Sequence, residues 1–370
     1  MKIIFVRSNS ISKGPSYDRA AASLSHNGHE VTYLGWDRDN GCPKTENNGL
    51  YTIHRFQMKA PHGSFFLILY LPFWWLYEFY FLMRNNEDVI HACDFDTLIP
   101  AIAVKILKRK KLCYTIYDFY ADNLPARTPY LFRRCVSIME KFSIRFTNVT
   151  FLVSTERKNQ IAGAKVKNLE FIYNTPDDIA NQVQIPAYNN KKFLIFYAGE
   201  LSSLRGLKLL CKIVTEFDDI KLVLAGSGIT EYDLNNMVEK SNNIEFVGWM
   251  NYDKVLKWTL KSDMSFAFYD PKIPNNRYAS PNKLFEAMMC AKPIVINSET
   301  TAAKIVEECN CGMTVPFNNE NALRSAIFEL KRNPQLREIL GNNGRKAYEQ
   351  KYNWKLMERR LLDSYSKIME

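Results

Sequence analysis

Histidine is scarce and lopsided: the 370 residues hold five, at positions 26, 29, 54, 62 and 91, and none after that. Any proton transfer placed in the later three-quarters of the chain must therefore run without imidazole. Glycine and proline number fifteen each, too few for a collagen-like or low-complexity chain. The eight cysteines, at 42, 93, 113, 135, 211, 290, 309 and 311, form no paired framework, so reduced thiols are expected. The chain opens without a leader pattern, which together with the thiols predicts a cytoplasmic protein. Cys309 and Cys311 make the one close pair, and C-x-C with no His or Cys nearby is a poor metal site.

What is present is ordinary globular material, 46% hydrophobic and 24% charged. A chain of this length exceeds what one core usually organises, so two domains are expected. The net charge of +10 is uneven, because residues 1–174 carry 23 basic and 15 acidic groups. A basic first half suits anionic lipid, phosphorylated substrates or nucleic acid. No RNP, KH or zinc-finger pattern accompanies the charge, so nucleic acid is not expected as a partner.

Short apolar runs alternate with helical stretches throughout. Strands are predicted at residues 2–6, 30–34, 51–56, 88–91, 111–117 and 149–153, with helices at 98–107 and 130–146 among those between them. A polar, proline-bearing stretch at 173–190 reads as a linker. A second series follows, with strands at 193–197, 221–225, 244–247, 264–268, 293–296 and 312–315, and the chain closes on helices at 335–350 and 354–369. The fold class is therefore α/β, two doubly wound Rossmann-like domains facing a central cleft. The domains are expected at 1–180 and 181–352, with 353–370 a helix returning to the N-terminal domain.

Residues 65–83 are the one long apolar run, dense in Phe, Trp, Tyr and Leu, with Glu78 its only charge. By length it could span a bilayer. Pro72, Glu78 and its place inside a β-α-β series weigh against spanning. A buried structural helix and an interfacial helix both remain open. At an interface Phe73 and Trp74 would meet lipid, beside the basic groups at 105–111 and at Arg133 and Arg134.

Doubly wound sheets hold ligands at the carboxyl ends of their strands. Gly226-Ser227-Gly228 is a G-x-G turn lacking a third glycine, and a plain tight turn would explain it equally. Ser280-Pro281-Asn282-Lys283-Leu284-Phe285-Glu286 is more specific. It opens a helix on which Lys283 and Glu286, three apart, share a side. A cation beside helix amides can neutralise phosphate, and a carboxylate one turn on can accept two ribose hydroxyls. Standing alone, the pair would read as routine surface charge.

Taken in order, Lys13-Gly14-Pro15, Tyr197-Ala198-Gly199-Glu200-Leu201, Arg205-Gly206-Leu207, Ala225-Gly226-Ser227-Gly228, Val247-Gly248-Trp249 and the Asn282–Met288 helix followed by Lys292-Pro293-Ile294-Val295 resemble family 4 glycosyltransferases of the GT-B fold. The likeness covers nearly the whole chain. It implies a retaining hexosyl transfer from a UDP- or GDP-linked sugar, with no cofactor or metal, to a lipid-linked or glycan acceptor in cell-envelope synthesis. It also implies that Glu286 binds the donor ribose and Arg205 faces the diphosphate. Gly14, Gly199, Gly226, Gly228, Trp249, Ser280 and Asn282 would complete the donor site, and Asp118, Arg205 and Lys283 the catalytic set. Three positions depart from the family. Tyr278 replaces the first glutamate of E-x7-E, Glu200 replaces an arginine, and Tyr117 replaces a histidine with Asp118 next. Lys283 would then supply the charge lost at Glu200.

In such a transfer the leaving phosphate can itself take the acceptor proton, which agrees with the lack of histidine in the second half. Asp118 would orient the acceptor hydroxyl, or be a structural aspartate. His91 reads first as a strand-end histidine bonded to backbone. Asp37-Arg-Asp39 and Asp94-Phe-Asp96 look like D-x-D, yet no metal is expected there. Two rivals remain, a nucleotide-sugar epimerase of the same architecture and a catalytically silent nucleotide-sugar-binding or membrane-assembly protein. The charge and residues 65–83 predict peripheral binding to an anionic membrane surface on its cytoplasmic face.

Overall fold

Buried runs of β-branched and aromatic residues, separated by amphipathic stretches, pair side by side into two largely parallel sheets. The computed structural model describes residues 1–11, 15–62, 64–125, 128–180, 192–228 and 232–369. It divides into two units, Met1–Tyr173 with Met357–Glu370, and Asn174–Leu356.

The first unit contains β1 (Lys2–Arg7), α1 (Pro15–His26), β2 (Glu30–Asp37), β3 (Thr45–Asn47), β4 (Thr52–Gln57), α2 (Leu71–Arg84), β5 (Val89–Cys93), α3 (Phe95–Lys108), β6 (Lys111–Ile116), α4 (Tyr120–Asn123), α5 (Tyr130–Ser143), β7 (Val149–Leu152) and β8 (Leu169–Phe171). The strand order is β3-β4-β2-β1-β5-β6-β7-β8. Every neighbouring pair is parallel except β3 with β4. The sheet grows in opposite directions from β1 and β5, so the loops leaving these strands flank the switch in strand order. Strands β3 and β8 were not expected from the sequence. Each has three residues, too short for a period to show, and β3 is polar and exposed.

His91 lies inside β5 and is buried. Its ring stacks between Phe5 and Phe151, with centroids 4.5 and 5.4 Å away. Its nitrogens bond to side chains, not backbone: Nδ1 to the Tyr365 hydroxyl and Nε2 to Thr115 Oγ1, both at 2.6 Å. Burial pushes its pKa down to about 3, so this imidazole is a neutral structural group.

Residues 65–83 resolve into a 3-10 turn, Phe65–Leu69, and then α2. With fourteen residues, α2 extends about 21 Å at 1.5 Å per residue, short of a hydrocarbon core of about 30 Å. No described helix is long and apolar enough to cross a membrane. Helix α2 is apolar on opposite faces. Leu71, Trp74, Glu78 and Leu82 are buried, whereas Phe73, Leu76, Tyr80 and Met83 are exposed. One face of α2 is thus buried as a structural helix would be, and the opposite face is exposed and apolar. Trp74, expected beside Phe73 at a lipid boundary, is instead fully buried and stacked on Trp36 at 5.7 Å. The two residues are consecutive, so helical geometry turns them about 100° apart.

The second unit contains β9 (Phe193–Glu200), α6 (Leu207–Thr215), β10 (Ile220–Ser227), α7 (Tyr232–Lys240), β11 (Ile244–Phe246), α8 (Tyr252–Lys261), β12 (Met264–Ala267), α9 (Pro274–Arg277), α10 (Asn282–Met289), β13 (Ile294–Asn297), α11 (Thr301–Cys309), β14 (Gly312–Val315), α12 (Glu320–Arg332) and α13 (Pro334–Ala347). The strands run β11-β10-β9-β12-β13-β14, all parallel, with the switch between β9 and β12. The division falls at Tyr173, before the expected residue 180. Arg345 forks onto Asp178 at 2.9 and 2.5 Å, and the Tyr348 hydroxyl donates to Pro176 O at 2.8 Å, which holds this approach segment within the second unit. The last helix, α14 (Trp354–Met369), supplies Tyr365 to His91 in the first unit.

Candidate active site

In the second unit the candidate residues gather where β9 ends and α10 begins, beside the switch in strand order. Gly199 has φ +148°, and a Cβ there would come within 2.9 Å of Lys283 Nζ. The Lys283 ammonium also lies over the Tyr197 ring, 4.6 Å from its centroid, a cation–π arrangement. Burial works to lower its pKa, but Tyr197, Tyr269 and Glu286 outweigh burial and the net shift is upward. Lys283 is therefore a fixed positive charge. Glu286, one turn along α10, is buried. Pro281 precedes α10 in an extended conformation and itself offers no side-chain cap to the first amides of the helix. Helix-start amides and an ammonium together favour an anion.

Arg205 is paired with Glu200. Its Nη2 is 2.7 Å from Glu200 Oε2 and its Nε donates to the same oxygen at 3.1 Å. Its guanidinium also lies over Tyr269, 4.5 Å from the ring centroid. Burial works to lower its pKa, and Tyr269 and Glu200 turn the shift upward. Arg205 stays charged but shares that charge with Glu200. Gly206 follows at φ +67°, and a Cβ there would meet Phe268 Cδ2 at 2.9 Å, so the arginine-glycine step needs its glycine for packing. Tyr269 and Asn297 were not anticipated. Asn297 is fully buried and clamps Tyr269, accepting from its N–H at 2.8 Å and donating to its carbonyl at 3.1 Å. Nothing in their local sequence marks the pair, since the clamp joins the ends of two strands 28 residues apart.

Gly226 pairs with Gly199 across β10 and β9. A Cβ on Gly226 would fall 1.8 Å from Gly199 O, so this glycine is required by the backbone beside it. Its N–H donates to Gly248 O at 2.9 Å, which brings the loop carrying the exposed Trp249 next to the glycine turn. Gly228 ends that turn at φ +106°. Ser280 and Asn282 are half-buried at the α10 start. Gly14 lies outside the described residues.

Asp118 belongs to the first unit. It is about half exposed and pairs with Arg157 at 3.1 Å. Asp94, missed as a functional residue in the sequence, organises this end of the sheet. Its Oδ1 accepts from the amides of Tyr117 at 2.8 Å and Asp118 at 3.2 Å, and Arg7 approaches its other oxygen. Burial pushes Asp94 up to about 7, with Arg7 acting against that rise. Its φ of +65° is unusual for a side chain other than glycine, and strain of this kind concentrates at functional sites. Asp96 accepts the Ser8 hydroxyl. Among the described residues no three His, Cys, Asp or Glu side chains cluster as metal ligands would.

Residues 178–347 match the family Glycosyl transferases group 1. Among curated proteins, the chain is 27% identical to an uncharacterized glycosyltransferase of Methanocaldococcus jannaschii over 50% of this chain and 54% of that one. The chain thus spans about half the length of that relative. A second uncharacterized glycosyltransferase of the same organism is 24% identical over 95% of this chain and 93% of its own. The capsular polysaccharide biosynthesis glycosyltransferase CapM of Staphylococcus aureus is 23% identical over 74% of each chain. Among solved structures, sucrose-phosphate synthase of Thermosynechococcus elongatus superposes with a TM-score of 0.81 at 15% identity, covering 100% of this chain and 99% of that one. HepE of Anabaena in complex with UDP-glucose gives 0.71 at 16%, covering 99% and 100%. The two parallel-sheet units and these likenesses give the chain the GT-B fold, and within it residues 178–347 match the group 1 glycosyltransferase family.

Proposed function

We propose that this chain is a retaining, family 4 type transferase that moves a hexosyl group from a UDP- or GDP-linked sugar to a lipid-linked or glycan acceptor in cell-envelope glycan synthesis. The observation that carries the reading is the Lys283 ammonium, held against Gly199 and the Tyr197 face one helical turn before the buried Glu286. Positive charge and helix-start amides stabilise a departing diphosphate, commonly the largest single contribution to such a transfer. The leaving phosphate takes the acceptor proton, so no metal or imidazole is needed in this scheme. Glu286 accepts the ribose hydroxyls, Arg205 adds the part of its charge that Glu200 leaves, and Asp118 orients the acceptor hydroxyl. A bound UDP-glucose in HepE and the capsule-synthesis role in the name of CapM point the same way.

The protein works, in this reading, bound to an anionic membrane surface. The exposed apolar rows of α2 and α5, with Arg84, Arg109 and Arg134 exposed near them, pair an apolar contribution with a charged one. The reading is tested by incubating the protein with UDP- and GDP-sugars and acceptors, with and without EDTA, and assigning the product anomer by NMR. An inverted anomer, or activity that EDTA abolishes and manganese restores, would overturn the mechanism.

A further inference from the structure

The first unit encloses a cavity of about 520 Å³, within the size range of small-molecule sites. Its lining is segregated. On one side stand Ser8, Arg38, Asp94, Asp96 and Asp118, each just beyond the carboxyl end of a strand. On the other stand Leu67, Leu71 and Trp75 from the 3-10 turn and α2, facing Phe132, Val136 and Met139 from α5. Met139 lines the cavity yet is half exposed, and Cys135 lines it and is exposed. The mouth therefore lies along α5. Leu131, Ile138 and Phe142 of the same helix are also exposed, so the outer surface of α5 is apolar as well as the part that lines the cavity.

The polar side is incompletely satisfied. Asp96 is 5% exposed and its Oδ1 has no hydrogen-bond partner, although Oδ2 accepts the Ser8 hydroxyl. Arg38 donates through Nη2 to Ser8 O at 2.5 Å, while its buried Nε has no partner. A buried polar atom left unpaired costs free energy that a ligand can recover. An acceptor and a donor left unpaired, with carboxylates predominating, suit hydroxyl groups better than a phosphate.

Resting on the transferase reading above, we propose that this cavity is the acceptor site and that it takes an amphiphile, with the hydrocarbon chain between α2 and α5 and the hydroxyl-bearing head at Asp96, Arg38 and Asp118. The acceptor is thus selected by its chain as well as its sugar, and the exposed apolar helices deliver that chain from the membrane to the mouth along α5.

The probe is a series of hexyl, octyl, decyl and dodecyl β-maltosides below their micellar concentrations, with maltose as the chainless control, titrated calorimetrically into the full-length protein. Affinity is expected to rise about fourfold per methylene, the equivalent of about 0.8 kcal/mol, until the cavity is full. Decyl maltoside should also slow alkylation of Cys135 in the wild type, a readout that needs no variant. Val136→Trp, which fills the cavity, should flatten the series. Phe73→Ser with Leu76→Ser should lower vesicle binding and leave the series intact. An affinity independent of chain length, an unprotected Cys135, or a Val136→Trp protein that keeps the full series would each overturn the proposal. Thermal shift by UDP and GDP reports the second unit separately. Nucleotide binding with a flat series sinks this inference alone, whereas a rising series without nucleotide binding sinks the donor reading and leaves a lipid-chain site.

Discussion

Lys283 Nζ occupies the space that a methyl group on Gly199 would need, at 2.9 Å from the position of such a Cβ. The glycine and the lysine are therefore one device: the bare backbone at the end of β9 lets the ammonium reach the strand end. Gly199→Ala should displace the ammonium and strain a backbone at φ +148°. Its kcat/KM should fall by a factor comparable to that of Lys283→Ala, roughly tenfold to a hundredfold, for a loss of about 1.5–3 kcal/mol. Steady-state kinetics with the sugar nucleotide that gives turnover measures both. Full activity in Gly199→Ala would disprove the coupling.

The Arg205–Glu200 pair makes a contrasting prediction. Arg205 already shares its charge with a carboxylate 2.7 Å away, so Arg205→Ala should cost less than Lys283→Ala. Glu200→Gln should release the guanidinium and tighten UDP or GDP binding, by a few-fold given a charge-assisted bond of about 1.5–3 kcal/mol only partly redirected. Isothermal titration of the nucleotide into the three variants gives the order. Weaker binding in Glu200→Gln would mean that the carboxylate itself contacts the donor.

The parts of this architecture that show in the sequence are those written in local chemistry. Strand β9 is a buried apolar run, Phe193 to Tyr197, leading into Ala198-Gly199-Glu200, and the Lys283–Glu286 spacing alone sets both residues on one side of a helix. The Arg205–Glu200 pair does not show, although both residues stand out in the sequence, because an ion pair depends on side-chain direction rather than spacing. In the sequence Asp94 shows only as half of a D-x-D at which no metal is expected. Its role in holding the Tyr117 and Asp118 amides depends on a register between β5 and β6 that no single segment encodes. Composition leaves Phe73 and Trp74 together, open to burial or to lipid, and the phase of α2 separates them. The cavity in the first unit left no trace at all, since apolar residues that line a space and those that fill one look alike in a sequence.

That separation makes the membrane proposal testable within one helix. Phe73→Ser with Leu76→Ser alters exposed positions only and should leave the melting temperature nearly unchanged. Sedimentation with anionic vesicles should weaken most at high salt, where the charged contribution is screened and the apolar one remains. Trp74→Ser should instead destabilise the fold by about 3–5 kcal/mol through loss of a buried aromatic. A wild type that ignores anionic vesicles at low salt would remove the membrane from the proposal and favour a soluble acceptor.

Glu78 is a buried carboxyl in α2. It is fully buried and neither carboxyl oxygen has a hydrogen-bond partner among the described residues. Burial, with Asp96 adding to it, raises its pKa well above the ordinary carboxylate value, so the folded protein holds a proton there that the unfolded chain releases near pH 4.3. Because the folded state binds the extra proton, stability falls as pH rises from the unfolded value towards the folded one. Glu78→Leu removes both the titration and the unsatisfied group. It should stabilise the protein by about 1–3 kcal/mol at pH 7.5 and by progressively less as the pH is lowered towards 4.5. Chemical denaturation of wild type and variant across that range gives the difference directly. A gain that is constant with pH would show that packing alone is responsible, and a loss at every pH would show that the carboxyl finds a partner the structure does not reveal.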